Sequence, residues 1–232
     1  MDLEALRAHY DLLAASEPKG SAVAVGWKTD EVSQRNNASI AGVFDRERAP
    51  FGIYEIGCGN GRFLDFLKAH YPTAQYRGCD ISERMVEATR ERHPDAEIEV
   101  RDVLARPLAD QSTDYVVASG VFNLRMDVTP GRWWEYVQRL LESMYRSARK
   151  GIAANFLSDQ TDWRREWGYY QSPSAVLDFA RENLSRFVEM HHEFYPWEFA
   201  LYVYRAPQSL RHGPPPVEWP PSSRDRQDSS KF

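Results

Sequence analysis

Short apolar segments alternate with amphipathic segments from about residue 50 to residue 185, and this alternation is the feature that most constrains the fold. Segments such as "FGIYEIG" and "TDYVVASG" have the length and apolar content of strands. By contrast, "GRWWEYVQRLLESMYRSARKG" repeats its apolar side chains at helical spacing. Strands that alternate with helices form a parallel sheet with helices on both faces. We therefore predict an α/β, doubly wound, Rossmann-like fold.

The predicted sheet has seven strands. Five parallel strands are expected in "FGIYEIG", "AQYRGCDI", "AEIEVRD", "TDYVVASG" and "GIAANFLS". The segment "FVEMHHEFYPWEFALYVYR" predicts two further strands that join across Tyr195 and Pro196 as an antiparallel hairpin. Ser82 is expected to cap the helix after the second strand, and Gly151 to cap the C-terminal end of the longest helix.

The chain is predicted to divide into three parts. Residues 1–49 contain two helical patterns and are expected to form a helical cover, or lid. Residues 50–205 form the α/β domain. Residues 206–232 hold six of the chain's 14 prolines among Ser, Arg, Asp and Gln, and this composition predicts a disordered tail.

Composition and charge disfavour several classes of partner. The net charge is −5 and no basic cluster occurs, which argues against nucleic acid or an anionic membrane surface as a partner. No apolar run reaches the roughly 18–20 residues that span a bilayer. Cys58 and Cys79 fit neither a disulfide framework nor a metal site. With no recognisable leader, these features predict a cytoplasmic protein without a metal site.

The segment "YEIGCGNGRF", residues 54–63, places three alternating glycines between the first strand and a helix. Gly57 would permit a tight turn, whereas Gly59 and Gly61 would let a ligand lie against the backbone. N–H groups at the start of the following helix would face that ligand. A dinucleotide fingerprint requires glycine at the sixth position, where this chain has Arg62. This difference disfavours an NAD(P)-dependent oxidoreductase.

Glycines at the first, third and fifth positions, preceded by Glu55, resemble the first motif of class I S-adenosylmethionine-dependent methyltransferases. The resemblance covers about residues 50–205 and includes the C-terminal hairpin. It implies S-adenosyl-L-methionine as cofactor. It further implies that Asp80, nineteen residues beyond Gly61, binds both ribose hydroxyls. Instead of binding the ribose, Asp80 could be a loop residue or a helix N-terminal residue. Instead of contacting the cofactor, Glu55 could have a purely structural role.

Further cofactor contacts follow from the same resemblance. Asp102 would lie near the adenine amino group, with Val103 beside it as an apolar wall. "STDYVVASGVFNL" resembles the family's fourth motif and would place Ser119 and Gly120 under the cofactor. Trp27, in a glycine-flanked segment, is predicted to fold over the cofactor as a lid. The complete predicted cofactor set is Glu55, Gly57, Cys58, Gly59, Gly61, Asp80, Ile81, Asp102, Val103, Ser119, Gly120 and Trp27.

The methyl acceptor would enter at the carboxyl ends of the strands. Aromatic walls with a few amides suit a small, partly polar molecule. The predicted acceptor contacts are Phe122, Asn123, Asn155, Tyr195 and Trp197, although any one of the aromatics could instead be a core residue. Methyl transfer depends mainly on alignment, and a base is needed only if the acceptor loses a proton. His191, His192 and Asn123 are the candidates for a catalytic role.

These features predict a methyltransferase that acts on an O or N atom of a small organic molecule. The absence of an Asn/Asp-Pro-Pro-Tyr run after the fourth strand favours a small acceptor over DNA or protein. The alternatives are a non-catalytic cofactor-binding or scaffolding module and a protein-directed methyltransferase. The sequence indicates no particular oligomeric state.

Overall fold

The computed structural model describes residues 3–166 and 168–208, without the side chains of Phe194 and Tyr195. Residues 209–232, the greater part of the predicted disordered tail, lie outside the described residues. In the described chain no helix combines the length and the apolar character needed to cross a bilayer.

One mixed sheet forms the centre of the molecule. Its strands are β1 Phe51–Ile56, β2 Ala74–Asp80, β3 Glu97–Val100, β4 Thr113–Ala118, β5 Ala148–Ser158, β6 Tyr170–Gln171, β7 Phe187–Tyr195 and β8 Glu198–Tyr204. They are arranged in the order β3-β2-β1-β4-β5-β8-β7, with β6 paired to β5 beside this path. Strands β1 to β5 are mutually parallel, and β8 runs antiparallel to both β5 and β7. The predicted parallel sheet with an antiparallel hairpin is confirmed. The two-residue strand β6 was not predicted.

Helices cover both faces of the sheet. They are α1 Glu4–Ser16, α2 Asp30–Ala41, α3 Arg62–His70, α4 Glu83–Arg92, α5 Pro130–Ser147 and α6 Pro173–Asn183. The α5 face of the sheet buries Trp133, Leu140 and Met144, and the opposite face buries Ile40 and Phe63. Ser82 caps α4 as predicted, because its hydroxyl oxygen accepts a hydrogen bond from the Met85 N–H at 3.1 Å.

The prediction of Gly151 as a helix cap is wrong. Helix α5 ends at Ser147, and β5 begins at the next residue, so Gly151 lies inside a strand. The carbonyls at the helix end are satisfied by Arg205, whose guanidinium donates to the Tyr145 carbonyl at 2.6 Å and the Ala148 carbonyl at 2.7 Å. Glycine suits position 151 for a different reason. A Cβ there would lie 2.9 Å from the carbonyl oxygen of Val203 on the neighbouring strand.

Candidate active site

A cavity of about 570 Å³ lies at the carboxyl edge of the parallel strands, within the size range of small-ligand sites. The loop end of the cavity, as we call it, follows β1 to β4 and includes Gly57–Asn60, Asp80, Asp102 and Ser119. The aromatic end lies beside β5 and β8 and comprises Trp163, Tyr170, Trp197 and Glu198. Three strand spacings separate β2 from β5, or about 14 Å, so the cavity is long enough for two ligands side by side.

The glycine loop has a conformation that other residues rarely adopt. Gly57, Gly59 and Gly61 have φ values of 74°, 54° and 83°. The N–H groups of Gly57 and Cys58 donate to the Cys79 carbonyl at 2.8 and 2.9 Å, which fixes the turn against β2. A Cβ at Gly57 would lie 2.5 Å from Val121 Cγ2, and one at Gly59 would lie 2.7 Å from Val25 Cγ1. The loop is therefore packed between the N-terminal cover and the residues after β4.

Gly61 does not line the cavity, which corrects its predicted role in cofactor contact. Its backbone is the left-handed N-terminal cap of α3. A Cβ there would point toward α4, 2.8 Å from His93 Cδ2. Position 61 thus needs glycine for its φ angle and for close packing between α3 and α4.

Asp80 supports the glycine loop and also lines the cavity. One carboxylate oxygen accepts from the Gly59 N–H and the other from the Ser82 N–H, both at 2.9 Å. Burial raises the pKa of Asp80, and these two backbone bonds offset part of that effect. Because each carboxylate oxygen has a second lone pair, the same side chain is still able to accept ribose hydroxyls.

Glu55 lies on the cavity wall and is also hydrogen-bonded within the fold. It lines the cavity, is 2% exposed and accepts a hydrogen bond from the Tyr76 hydroxyl. Burial raises the pKa of Glu55 to about 8, although the bond from Tyr76 acts in the opposite direction. The side chain therefore holds a proton over much of the neutral pH range.

The other predicted cofactor residues Cys58, Ile81, Asp102, Val103, Ser119, Gly120 and Trp27 all line the same cavity. Asp102 makes a tight local turn, with one carboxylate oxygen accepting from the Leu104 N–H at 2.8 Å. The Trp27 indole lies over the end of β4, because a Cβ at Gly120 would be 3.0 Å from Trp27 Cζ2. Position 120 therefore has to be small if this tryptophan is to cover the cavity.

Arg62 attaches the N-terminal cover to the loop. Its guanidinium lies 2.7 Å from an Asp30 carboxylate oxygen and donates to the Ser33 hydroxyl at 2.9 Å and the Gly20 carbonyl at 2.8 Å. The side chain is only 12% exposed. Arginine at the position where a dinucleotide fingerprint has glycine thus binds the cover of this chain.

Sequence reasoning missed several cavity residues. Leu6, His9 and Tyr10 of α1 line the cavity, as do Tyr136 of α5 and, at the aromatic end, Glu198 of β8. Burial, with a smaller contribution from the Asp80 charge, raises the pKa of Tyr10 to about 12. The helical pattern at the start of the chain predicts a helix with one apolar, buried face. That pattern does not indicate which part of the molecule the helix covers.

Four of the five predicted acceptor residues separate into two groups. Asn123 and Trp197 line the cavity, whereas Phe122 and Asn155 do not. Phe122 is fully buried and stacks on Phe156 with ring centroids 5.0 Å apart, so it is a core residue. Asn155 is 1% exposed and lies behind the cavity wall. Tyr195 ends β7, and its side chain lies outside the described part of the chain.

Neither histidine candidate lines the cavity. His191 lies between Glu189, at 3.4 Å, and Glu193, at 3.0 Å. His192 lies 3.1 Å from the Pro196 carbonyl oxygen in the hairpin turn. Strand β7 is the outermost strand and is separated from β4 by β5 and β8. This position explains why the predicted catalytic role of both histidines is not supported.

Four buried polar atoms on the cavity wall have no hydrogen-bond partner among the described residues. They are Asn60 Oδ1, Ser119 Oγ, Asn123 Oδ1 and Glu198 Oε2. Because buried polar groups are nearly always hydrogen-bonded, these atoms indicate a polar ligand. An adenosyl group with an amino acid tail carries matching hydroxyl and amino groups. Within residues 3–166 and 168–208, no three His, Cys, Asp or Glu side chains come together as metal ligands.

Comparisons with known proteins agree with this site. A methyltransferase-domain family model matches residues 53–151. A protein of Mycobacterium tuberculosis (strain ATCC 25618 / H37Rv) named as a methyltransferase is 32% identical over 162 residues, which span 68% of this chain and 95% of the relative. Malonyl-acyl-carrier-protein O-methyltransferase of Methylococcus capsulatus is 30% identical over 168 residues, which span 68% of this chain and 58% of the relative.

The fold has solved counterparts. The crystal structure of magnesium protoporphyrin IX methyltransferase from Synechocystis PCC 6803 with bound S-adenosylmethionine superposes with a TM-score of 0.60 at 14% identity, covering 89% of this chain and 98% of that chain. The chain belongs to the class I S-adenosylmethionine-dependent methyltransferases. It is an enzyme, and its cofactor is S-adenosyl-L-methionine.

Proposed function

We propose that this enzyme transfers a methyl group to an O or N atom of a small organic molecule. The observation that carries the proposal is the continuity of the cavity from the glycine loop to Trp163, Tyr170 and Trp197. A cofactor at the loop end would leave the aromatic end for the acceptor. Aromatic walls with the Asn123 amide suit a partly polar organic compound.

The residues of the loop end would bind and orient the cofactor. Asp80 would accept the ribose hydroxyls, Asp102 and Val103 would face the adenine, and Ser119 with Gly120 would lie beneath the reactive group. When bound, the sulfonium supplies an already activated methyl group. The protein is then required mainly to align the acceptor and to exclude water, and alignment alone can account for a large part of the rate enhancement.

A protein-bound acceptor is the second candidate. Trp163 and Trp197 are 65% and 46% exposed at the aromatic end, which is unusual for such large side chains. Exposed tryptophans at the mouth of the site could contact a carrier protein. One relative is named for an O-methyl transfer to a malonyl group on such a carrier.

Both cysteines are free thiols, which accords with the reducing cytoplasm that we propose as the location of the enzyme.

Cofactor labelled in its methyl group, incubated with cell extract and the purified enzyme, tests these alternatives. We expect label in the low-mass fraction, and no label with the Gly59→Val variant. Label in the protein fraction would instead support a carrier-bound or protein acceptor. Cofactor binding by calorimetry without label in either fraction would contradict the proposed transfer to a small molecule.

A further inference from the structure

Glu198 is a buried carboxyl group on the wall of the aromatic end. It is the first residue of β8, and the antiparallel direction of that strand brings its start to the carboxyl edge of β5. The residue is 8% exposed, and Oε2 has no hydrogen-bond partner among the described residues. A buried carboxyl oxygen without a partner is costly, so a role at this position is expected.

Two side-chain amides, Asn155 and Asn36, lie between the end of β4 and Glu198. The Gly120 N–H donates to Asn155 Oδ1 at 2.6 Å, and Asn155 Nδ2 donates to Asn36 Oδ1 at 3.1 Å. The Asn36 amide in turn stabilises the charged form of Glu198. These buried contacts fix the Asn36 amide, which interacts with the Glu198 carboxyl group, relative to Gly120, next to which the reactive methyl group is proposed to lie.

Burial, and not the neighbouring charges, mainly determines the pKa of Glu198. Burial raises the pKa of Glu198 to about 7, with the Asn36 amide acting in the opposite direction. Tyr170 is the other titratable side chain of the aromatic end, and Lys28 and Arg165 line the same cavity. On β7, His191 lies between two glutamates and His192 faces the Pro196 carbonyl. Near neutral pH both forms of the Glu198 carboxyl are therefore populated, as a proton acceptor requires.

We propose that Glu198 is the general base of the reaction and that the acceptor is a hydroxyl or amine compound. This inference rests on the proposed methyl transfer. The lone pair of the acceptor O or N atom forms a bond to the methyl carbon, the carbon–sulfur bond breaks, and its electron pair stays on sulfur as the thioether of S-adenosylhomocysteine. The proton of the acceptor atom passes to the Glu198 carboxylate and then to solvent.

The position of Glu198 also selects among acceptors. A carboxylic acid is already ionised at neutral pH and has no proton to lose, so it gains nothing from a base. Its negative charge would also meet that of the Glu198 carboxylate in a poorly solvated place. A phenol, an alcohol or an ammonium group has a proton to lose and carries no such charge.

The test uses the full chain with tritiated-methyl S-adenosyl-L-methionine and a panel of phenols, alcohols, primary amines and carboxylic acids. We expect label in a phenol, alcohol or amine, with kcat rising through an apparent pKa near 7. Glu198→Gln should lower kcat by about 100-fold or more and remove this limb of the pH profile. Glu198→Asp should restore part of the rate.

Two measurements separate failure of this inference from failure of the proposed function. Calorimetry with S-adenosylhomocysteine should give the same affinity for Glu198→Gln and the unmodified enzyme. Glu193→Gln, a control that changes an exposed glutamate on β7, should keep full activity. The inference is overturned if label appears only in carboxylic acids or in no hydroxyl or amine compound. It is also overturned if the Glu198→Gln enzyme keeps more than half of the normal kcat. If the unmodified enzyme does not bind S-adenosylhomocysteine, the proposed function is overturned.

Discussion

The loop end and the aromatic end of the cavity take their residues from different kinds of places in the chain. The loop end is assembled from short segments that directly follow β1 to β4, and a backbone conformation fixes most of it. The aromatic end combines Trp163 and Tyr170, from the segment after β5, with Trp197 and Glu198 at the hairpin. A site built on backbone geometry is tied to one cofactor. A site built on side chains at loops and turns is free to vary with the acceptor.

The largest expected effect is at the glycine loop. Gly59→Val would place a β-branched residue at a φ of 54° and a Cβ 2.7 Å from Val25 Cγ1. Because the loop cannot keep its shape, we expect the affinity for S-adenosylhomocysteine to fall by at least ~100-fold in calorimetry. Gly131→Ala is the control, since a Cβ there meets nothing within 4 Å. Unchanged binding by Gly59→Val would contradict the assignment of the loop end.

The second effect concerns Glu198 and is a change of stability with pH. Burial raises the pKa of Glu198 from 4.5 to about 7. The folded protein therefore keeps this proton between these pH values while the unfolded chain loses it, so stability falls as the pH rises through this window. Glu198→Gln removes the titration. We compare the unfolding free energy of the variant with that of the unmodified protein. This difference should shift in favour of the variant by roughly 3 kcal/mol between pH 4 and pH 8.

Urea unfolding of both proteins at the two pH values measures this difference. Glu142→Gln, a change at an exposed position of α5, should show no comparable gain. An equal stability change at pH 4 and pH 8 would mean that Glu198 has an ordinary pKa, and the aromatic end would then lack its buried acid.

The third effect is at Asp80, which is shared between the loop and the proposed ribose. In Asp80→Asn an amide nitrogen would face either the Gly59 or the Ser82 N–H, so a donor would replace an acceptor. We expect a loss of about 10- to 100-fold in cofactor affinity, corresponding to about 1–3 kcal/mol. The exposed change Asp95→Asn should leave the affinity as it was. If both variants bind equally well, the carboxylate is not part of the cofactor site.

The smallest effects come from a matched pair of tryptophans, one at each end. Trp27→Ala removes the indole that covers Gly120 and should weaken cofactor binding by about 5- to 10-fold. Trp197→Ala, at the aromatic end, should change cofactor affinity by less than about twofold. Calorimetry on both variants compares the two ends directly. Equal losses would show that the cofactor extends into the aromatic end.

Sequence reasoning succeeded where the site depends on local backbone geometry. The alternating strands and helices, the hairpin and the cap at Ser82 follow from periodicity and residue type, and the structure confirms them. Position 61 shows the limit. The sequence predicts that glycine at this position lets a ligand lie against the backbone. In the structure Gly61 has a φ of 83°, and a Cβ there would meet His93, which follows the last residue of α4, and not a ligand in the cavity.

The remaining errors concern contacts between distant parts of the chain. The end of α5 is fixed by Arg205, which is more than fifty residues away, and this contact leaves no signal near Gly151. Phe122 and Asn155 follow or lie on central strands as expected, but packing against Phe156 and Asn36 turns them away from the cavity. In the sequence, Glu198 resembles any polar residue after a turn. Its burial results from the antiparallel pairing of β8 with β5, which the sequence around it does not show.

A crystal structure of the full chain with S-adenosylhomocysteine tests the central claim most directly. We predict that both ribose hydroxyls lie within about 3.2 Å of the Asp80 carboxylate oxygens, with the adenine beside Asp102 and Val103 and the loop peptides of Gly57–Asn60 against the nucleoside. A nucleoside bound at the aromatic end, or a loop whose peptides contact only protein side chains, would contradict it.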